Sequence, residues 1–449
     1  MGMEQRMAVS ESPTGVREAC PIQPGALDGL TIMRYAHIYR DRRSGGVEQY
    51  LRRLHQGLLE RHRLTILQMY LARGESSAAM DIEKVGRGRV LWVPVRTHEG
   101  PSRLTDLRKR LASVYRNSLG LQKQEGKSGL LARISALPQM LSHRGGHFRY
   151  NTAVFSDYLP VLLAEYEVNL LVMHWLSYDS DSLVLRALQS NIPFAFVNHF
   201  SNSRLSISRN RYWLDKAAAI GVVSAKEIPI DFQGRCINLL DAIDTEFFMP
   251  EKARPMQIPA TPMILLPARI QLGKGHRDLI KAVSLLIGKK IDLSLCFAGA
   301  VDSEAEHQTL HKMAAAADLQ GRISFLGERS AEELRDLYAA SCMVVLPSYS
   351  EGLPRVLLEA QAMKKPTLSY DSGGMSEAVL PNQTGFLVKT GDVEALANKI
   401  RFLLDNEEER VRFGARGREF VIRNFAIPAL VQRHEAFYLK ALSKSRVSV

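Results

Sequence analysis

The sequence predicts an α/β protein of two doubly wound domains, because three observations agree. Short apolar runs alternate with helical patterns in the first half of the chain, and the same alternation restarts in the second half. The runs hold about four to six apolar residues, a length typical of buried parallel strands. Between the halves, at 243–262, the periodicity lapses and prolines cluster. At 449 residues the chain also exceeds what one ordinary core accommodates.

These patterns divide the chain into four parts. Residues 1–27 contain no continuous apolar run and are expected to form a disordered tail. Residues 28–248 are expected to form a first Rossmann-like domain, which a basic insertion at 101–150 interrupts. Residues 249–425 are expected to form a second Rossmann-like domain. The helical pattern within 426–449 has no partner left in that domain, so we expect it to cross back to the first.

In the first half, two features lie where a parallel sheet binds ligands. Gly45 and Gly46 separate the first strand from a helical pattern, and a glycine pair there lets a ligand approach the backbone. His174 and His199 follow two strands directly, and open α/β sheets bind ligands beyond the carboxyl ends of their strands. We therefore expect at least one of these histidines to face a cleft. Strands are expected at 30–35, 64–67, 90–93, 169–173, 194–197 and 217–223.

In the second half, the first strand is followed by a basic loop with glycines. The strand is expected at 263–266, and Arg269, Lys274 and Gly275 lie between it and the next helical pattern. Loop cations and a helix N-terminus both attract anions, so this loop can receive a phosphate, although its spacing is not that of a Walker loop. Further strands are expected at 293–298, 323–326, 342–346, 367–370 and 385–388, and helices at 393–404 and 430–442.

The stretch 347–360 is the most informative part of the chain. It reads as the end of a buried strand, a loop containing Glu351, and a helix that starts near Pro354 and contains Glu359. Such a junction directs backbone N–H groups and the positive end of a helix dipole into a crevice, where a phosphate can bind. With hydroxyl-binding carboxylates on both sides, the stretch suits a nucleotide-sugar. The alternative is that the prolines only bound the two elements and both glutamates face solvent.

The positive charge of the chain is concentrated in one segment. The formal net charge is +12, and residues 103–149 contain ten Lys or Arg against only Asp106 and Glu125. A basic stripe favours an anionic partner. Only Tyr115 and Phe148 interleave with it, whereas nucleic-acid sites use several aromatic side chains, so no nucleic-acid binding is expected. An anionic membrane surface or a lipid-linked acceptor fits better. The alternative is a helix whose charges are simply solvated.

Composition indicates a cytoplasmic protein. The cysteines are scattered, with neither metal-ligand spacing nor a disulfide framework, which indicates a reducing compartment. No apolar run approaches the roughly 18 residues that span a bilayer, and the N-terminus has no apolar signal-peptide region. The basic segment leaves room for peripheral contact with the inner face of the cell membrane. The four cysteines are Cys20, Cys236, Cys296 and Cys342.

On these residues the chain resembles the retaining GT-B glycosyltransferases of family 4. Glu351 and Glu359 match the family's two glutamates separated by seven residues, and Arg269 and Lys274 match its paired basic residues. The resemblance spans roughly 31–442. The chain departs from the family before the linker, where it has Asp-Ala-Ile-Asp in place of Asn-Gly-Val-Asp. This departure leaves a linker role plausible and weakens any claim for Asp241.

The resemblance implies an activity and a set of site residues. The activity is metal-independent, cofactor-free transfer of a sugar from a nucleotide-diphosphate-sugar to a glycan or polyprenyl-linked acceptor, with retention of anomeric configuration. The first domain would bind the acceptor and the second the donor. The implied catalytic residues are Glu351 at the sugar, Arg269 and Lys274 at the diphosphate, and His199, with His174 as a second acceptor or cleft candidate. The implied donor-binding residues are Glu359 at the ribose, and Gly45, Gly46, Gly327, Gly352, Leu353 and Pro354.

Two other function classes compete with this interpretation. An epimerase or a phosphorylase can share the same two-domain plan. An epimerase would carry additional acidic and histidine residues around the anomeric carbon, and a phosphorylase would depend on inorganic phosphate. The other class is a non-catalytic protein that binds an anionic polymer through the basic segment.

Overall fold

The protein, represented by a computed structural model, forms two β-sheets, one largely and one entirely parallel, with helices packed on their faces. The structure describes residues 22–35, 46–72, 81–96, 162–174, 187–198, 211–223, 235–254, 261–317, 319 and 321–445.

The first sheet is doubly wound. In the described residues it contains β1 (Thr31–Tyr35), β2 (Thr65–Ala72), β3 (Asp81–Val85), β4 (Gly88–Arg96), β5 (Leu170–His174), β6 (Phe194–Asn198), β7 (Ala219–Val222) and β8 (Cys236–Asn238). Their order is β3-β4-β2-β1-β5-β6-β7-β8, and neighbours are parallel except for β3 and β4. The chain order reverses between β1 and β5, which makes this the switch point of the sheet.

Alternating side chains give the first sheet a core on each face. Ile32 packs in one apolar cluster and Met33 in the other, as the two-residue period of a strand requires. Helix α1 (Gly46–Arg61) covers the first of these faces, because Leu51, Leu54 and Leu58 recur at helical spacing. The opposite face is covered in part by α2 (Arg211–Lys216).

The second sheet is entirely parallel and has the order β11-β10-β9-β12-β13-β14. Its strands are β9 (Met263–Leu266), β10 (Ser294–Phe297), β11 (Ile323–Phe325), β12 (Met343–Leu346), β13 (Thr367–Tyr370) and β14 (Gly385–Val388). Here the chain order reverses between β9 and β12. In this sheet the strand positions predicted from apolar runs are confirmed to within one residue, whereas in the first sheet β2 and β4 extend beyond the predicted 64–67 and 90–93. The fold class, two doubly wound α/β domains, is confirmed with them.

Helices follow the strands of the second sheet in regular alternation. They are α3 (His276–Gly288), α4 (Glu304–Ala316), α5 (Ala331–Ala340), α6 (Arg355–Ala362), α7 (Met375–Ala378) and α8 (Val393–Asp405). Local sequence explains where several of them start. The Ser330 hydroxyl accepts the Glu333 N–H and the Glu333 carboxylate accepts the Ser330 N–H, a reciprocal capping box that opens α5.

The last helices return the chain to the first sheet. Helix α9 (Glu407–Phe425) packs on α6, and α10 (Ile427–Ser445) packs on α1. In α10, Leu430, Val431 and Phe437 belong to the apolar cluster of the first sheet. The predicted crossover helix is therefore confirmed. Within the described ranges, no helix combines the length and apolar character needed to cross a membrane.

A buried ion pair fixes α10 to the first domain. The Glu435 carboxylate accepts from Arg61 Nε at 2.6 Å and lies 2.7 Å from His62 Nε2. His62 Nδ1 accepts the Gly25 N–H at 3.0 Å, so Nε2 carries the imidazole hydrogen and donates it to Glu435. A buried carboxylate with two hydrogen-bond donors is satisfied, so this contact holds the crossover helix in register.

The structure corrects three sequence expectations. Residues 22–27 were assigned to a disordered tail, but they form turns on α1 and Leu27 is fully buried. These residues contain no apolar run because they contact α1 through a turn and not through a strand. Strand β3 was not predicted, because its charged residues lie exposed on a sheet edge. Helix α9 was also missed. Residues 101–150 lie outside the described residues.

Candidate active site

The strongest site candidates meet at the switch point of the second sheet. Strands β9 and β12 are neighbours there, and their carboxyl-terminal loops run to helices on different sides of the sheet. Such a divergence opens a crevice beyond the strand ends, which is where doubly wound sheets bind ligands. Lys274 lies in the loop after β9 and Glu351 in the loop after β12. The two chemistry-bearing loops predicted from sequence are therefore adjacent in space.

Lys274 and Glu351 form an ion pair across this crevice. The Lys274 Nζ atom lies 2.5 Å from Glu351 Oε1, and both side chains are less than one-fifth exposed. Backbone contacts hold the same two loops together, since Tyr349 N–H and the Ser348 hydroxyl both donate to the Gly273 carbonyl. The charged groups are thus fixed by the loops that carry them.

Two glycines allow these loops to approach. At Gly275, with φ +81°, a Cβ atom would lie 2.0 Å from the Pro347 carbonyl oxygen. At Gly373, with φ +51°, a Cβ atom would lie 2.2 Å from the Glu351 carbonyl oxygen. That carbonyl also accepts the Gly374 N–H at 2.9 Å. The loops after β9, β12 and β13 are therefore in backbone contact, which only glycine permits at these positions.

Helix starts face the same crevice. Helix α3 begins immediately after Gly275, and α6 begins after Pro354. Neither start has a side-chain hydrogen bond to its first turn among the described residues. First-turn N–H groups without a side-chain cap, together with the helix dipole, attract an anion. The sequence had placed Pro354 in the first helical turn, and the structure places it one residue earlier, as the cap.

The buried carboxylate of Asp278 stabilises the loop that carries Glu351. Asp278, in the first turn of α3, accepts a hydrogen bond from Tyr349 at 2.6 Å and from Tyr370 at 2.9 Å, both at Oδ2. Burial and this hydrogen bond raise the pKa of the Tyr370 phenol, so it keeps its proton and remains a donor. Asp278 thereby ties α3 to the loop that follows β12 and to the last residue of β13.

Glu359 lies inside α6 and is almost fully buried. Its Oε2 atom accepts the Tyr338 hydroxyl at 3.0 Å, and its Oε1 atom lies 3.9 Å from Arg355 Nη2. Burial raises the pKa of Glu359, while Arg355 and the Tyr338 hydrogen bond oppose that rise. Burial and the neighbouring carboxylate raise the pKa of Tyr338 well above its ordinary value, so the phenol stays the donor.

Other candidates in the second domain are less closely grouped. Arg269 is well exposed, and its guanidinium pairs with Asp302 at 2.7 Å, not with a group of the Lys274–Glu351 pair. Gly327 has φ +71° with open space where a side chain would lie, and its carbonyl accepts the Gly299 N–H. The loop of Gly352, Leu353 and Pro354 joins β12 to α6, next to Glu351.

The first-domain candidates are only partly described. Gly45 and His199 lie outside the described residues, and Gly46 is the first residue of α1. His174 ends β5 but is fully buried, with its ring 6.2 Å from that of Tyr50. The Tyr50 hydroxyl in turn lies 2.6 Å from His434 Nε2 of α10. His174 therefore lies beneath α1 and α10, at the switch point of the first sheet.

The structure adds residues that sequence reasoning did not select. Arg355 forms an ion pair with Asp241 at 2.9 Å, although 114 positions separate them. The signal for Arg355 was present, because a cation in the first turn of a helix opposes the helix dipole. Asp241 carried no comparable signal. The added residues are Asp241, Asp278, Tyr338, Tyr349 and Arg355.

Comparison with known proteins places the second domain in a family. Residues 250–420 match the family model described as glycosyl transferases group 1. A D-inositol 3-phosphate glycosyltransferase of Corynebacterium glutamicum is 31% identical over 215 residues, 45% of this chain and 51% of that protein. A GDP-mannose-dependent phosphatidylinositol monomannoside mannosyltransferase of the same species is 33% identical over 168 residues, 36% of this chain and 42% of that protein. The chain thus spans about half the length of the curated relatives it matches.

Solved structures resemble the chain over both domains. A sucrose-phosphate synthase from Thermosynechococcus elongatus aligns with a TM-score of 0.64 at 19% identity, covering 92% of this chain and all of that one. Anabaena HepE, solved with UDP and glucose, aligns with a TM-score of 0.61 at 15% identity, covering 91% of this chain and 99% of that one. At these identities the likeness concerns the fold. The match to the glycosyl transferases group 1 family is therefore confined to residues 250–420, while the two domains together share the GT-B fold of these solved structures.

Proposed function

We propose that the chain transfers a sugar from a nucleotide-diphosphate-sugar to a hydroxyl group of an acceptor. The observation that carries this proposal is the pairing of Lys274 and Glu351 at the switch point of the second sheet, with Glu359 in the helix that follows the Glu351 loop. A nucleotide-sugar presents the complementary groups, an anionic diphosphate with hydroxyl-rich rings on both sides. The match of residues 250–420, the range that contains these three side chains, to the glycosyl transferases group 1 family model supports it further.

Glu359 is proposed to bind the ribose hydroxyls. Tyr338 occupies Oε2, whereas Oε1 lies 3.9 Å from Arg355, too far for a hydrogen bond. Oε1 can therefore accept a ribose hydroxyl hydrogen without losing an existing bond. In a nearly buried position, a charge-assisted bond of this kind contributes more than it would in water.

Lys274 and Arg269 are proposed to bind the diphosphate. Lys274 would exchange its contact with Glu351 for a phosphate oxygen, and Glu351 would then face the donor sugar. Arg269 is 61% exposed in its pair with Asp302, and an exposed pair of this kind contributes little, so it can turn to an incoming phosphate. The start of α3, beside Lys274, adds backbone N–H groups to the same anion site.

The reaction breaks the bond between the anomeric carbon and the diphosphate oxygen and forms one to the acceptor oxygen. The acceptor hydroxyl proton passes to the departing phosphate oxygen, so the products are the glycoside and a protonated nucleoside diphosphate. Lys274 and the helix start stabilise the developing negative charge, which supports transfer without a metal. A proton passing between groups on one face of the sugar accords with retention of configuration.

The donor class is proposed to be a nucleoside-diphosphate hexose. Anabaena HepE was solved with UDP and with UDP-glucose, and a curated relative is named GDP-mannose-dependent. These proteins differ in base and sugar, and what they share is a hexose on a nucleoside diphosphate. A glycan or polyprenyl-linked acceptor would bind the first domain. The basic segment 103–149 would contact the anionic cytoplasmic face of a membrane where such acceptors lie.

Replacing Glu359 with Ala tests the proposal. We expect the donor KM to rise at least tenfold with little change in acceptor KM, because of the two substrates only the donor loses a contact. Steady-state release of nucleoside diphosphate, measured with varied donor and fixed acceptor, gives both constants. Glu332→Ala, an exposed glutamate on α5, is the matched control and should leave both unchanged. An unchanged donor KM in folded Glu359→Ala protein would remove the ribose role.

A further inference from the structure

Arg355 occupies a position that helix electrostatics disfavour. It is the first residue of α6, where the helix dipole places partial positive charge, and its side chain is only 20% exposed. An acidic residue would be stabilising there and a cation is not. The unfavourable interaction of this cation with the helix dipole therefore has to be offset by interactions with other parts of the chain.

Two carboxylates provide that compensation. Asp241 Oδ2 accepts from Arg355 Nη1 at 2.9 Å, and Glu359 Oε1 lies 3.9 Å from Arg355 Nη2. Both carboxylates are themselves less than one-sixth exposed. Burial lowers the pKa of Arg355, but Asp241 and then Glu359 outweigh it, and the pKa is raised overall. The guanidinium is therefore charged at any physiological pH.

Asp241 belongs to the segment that joins the two domains. Side chains of residues 239–243 alternate between the two cores, with Leu239 and Ala242 in the first and Leu240 and Ile243 in the second. Arg355 thus reaches from the second domain to the linker that leads out of the first.

The first domain holds the same segment from the other side. Arg53 of α1 donates from Nη1 to the Ala242 carbonyl at 3.0 Å. Burial lowers the pKa of Arg53, and the charge of Arg355 lowers it further, which places the two guanidinium groups within electrostatic reach. The charges at this junction therefore connect α1, the linker and α6.

We propose that Arg355, held by Asp241 of the linker, is a positioning residue that orients the Glu359 carboxylate for the donor ribose. This role rests on the proposed function, since it acts on the ribose contact assigned to Glu359. The guanidinium lies close enough to attract Oε1 but too far to occupy it, so the oxygen remains able to accept a hydroxyl hydrogen. Ribose recognition is thereby joined to the segment between the domains.

The pH dependence of donor affinity provides a measure of the positioning role of Arg355. The charged and titratable groups facing Glu359 are Arg355 on its own helix, Tyr338 on α5, Arg53 on α1 and Asp241 on the linker. Burial raises the pKa of Glu359, and Arg355 opposes that rise most strongly. Removing the guanidinium charge raises the pKa further, so the carboxylate is protonated at a higher pH. Donor affinity, which needs the carboxylate, should then fall earlier as the pH decreases.

The test measures nucleoside diphosphate affinity as a function of pH in the wild type and five variants. Wild type is first titrated with UDP, GDP and ADP, and the tightest binder is used throughout. Arg355→Gln is expected to weaken binding about tenfold at neutral pH, and to move the acidic loss of binding to higher pH. Arg355→Lys keeps the charge and should retain a nearly wild-type pH profile. Arg401→Gln removes an exposed pair on α8 and is the control.

The Asp241→Asn variant distinguishes a positioning role of Arg355 from a role in folding. It should weaken binding in the wild-type background and add little in the Arg355→Gln background, because Asp241 acts through Arg355. If Arg355→Gln does not fold, the single Asp241→Asn variant decides, with unchanged affinity overturning the role. Wild-type affinity and pH profile in folded Arg355→Gln would overturn the inference but leave the proposed function standing. Absence of binding of all three nucleotides to wild type would contradict the proposed function itself.

Discussion

Lys274→Met is expected to lower kcat by about a hundredfold to a thousandfold, the range found for removing one preorganised charge-stabilising group. The side chain keeps a similar length but loses the charge that the departing diphosphate needs. In the protein that charge is held 2.5 Å from Glu351, by loops whose backbones contact each other. The donor KM should change less than kcat, because charge develops mainly in the transition state.

Steady-state kinetics at saturating donor, with thermal unfolding as a folding check, provide the measurement. Lys289→Met is the control, because Lys289 is exposed at the far end of the same helix and should leave kcat unchanged. If Lys274→Met keeps kcat within about threefold of wild type, its role at the diphosphate is wrong, since even one lost charged contact has a larger effect.

Gly275→Ala is expected to disrupt both stability and donor binding. The new Cβ would lie 2.0 Å from the Pro347 carbonyl oxygen, so the loops after β9 and β12 must separate. Overpacking of this kind costs about 1–3 kcal/mol, and the left-handed backbone adds about 1–2 kcal/mol for any residue with a Cβ. Loop separation would also move Lys274 away from Glu351, so kcat/KM should fall by at least a hundredfold.

Gly273→Ala isolates the steric part of this effect. Gly273 has a similar φ of +88° in the same loop, but nothing lies within 4 Å of the added Cβ. Gly273→Ala should therefore lower the free energy of unfolding, measured in urea, by only the about 1–2 kcal/mol that the left-handed backbone costs. It should retain most of the activity. Equal losses of stability and of kcat/KM in the two variants would show that the contact with Pro347 does not matter.

The sequence predicted the second domain more completely than the first. Each strand of the second sheet is a short apolar run closed by a turn, and the predicted bounds agree with the structure. Since doubly wound sheets place their switch point at a known position in the strand order, the loops of Lys274 and Glu351 could be expected to meet. In the first domain, β3 escaped prediction because an exposed edge strand carries no apolar pattern.

Contacts between distant charged residues could not be predicted from the sequence. The pair of Arg355 and Asp241 joins positions 114 apart, and it depends on how the linker crosses between two cores. The same holds for Arg269, whose expected partner was a phosphate and which pairs with Asp302 in the protein. Apolar side chains recur with a period that identifies the face they bury. Charged side chains follow no such period, so their partners cannot be identified from the sequence.

A nucleoside diphosphate site at the switch point of the second sheet is tested most directly by calorimetric titration of UDP, GDP and ADP. For the wild-type protein we expect one of the three to bind at a single site, and we expect Glu359→Ala and Lys274→Met each to weaken that binding. The heat of binding and the stoichiometry come from the same experiment. Binding of none of the three nucleotides, or equal binding by wild type and both variants, would contradict a donor site at this position.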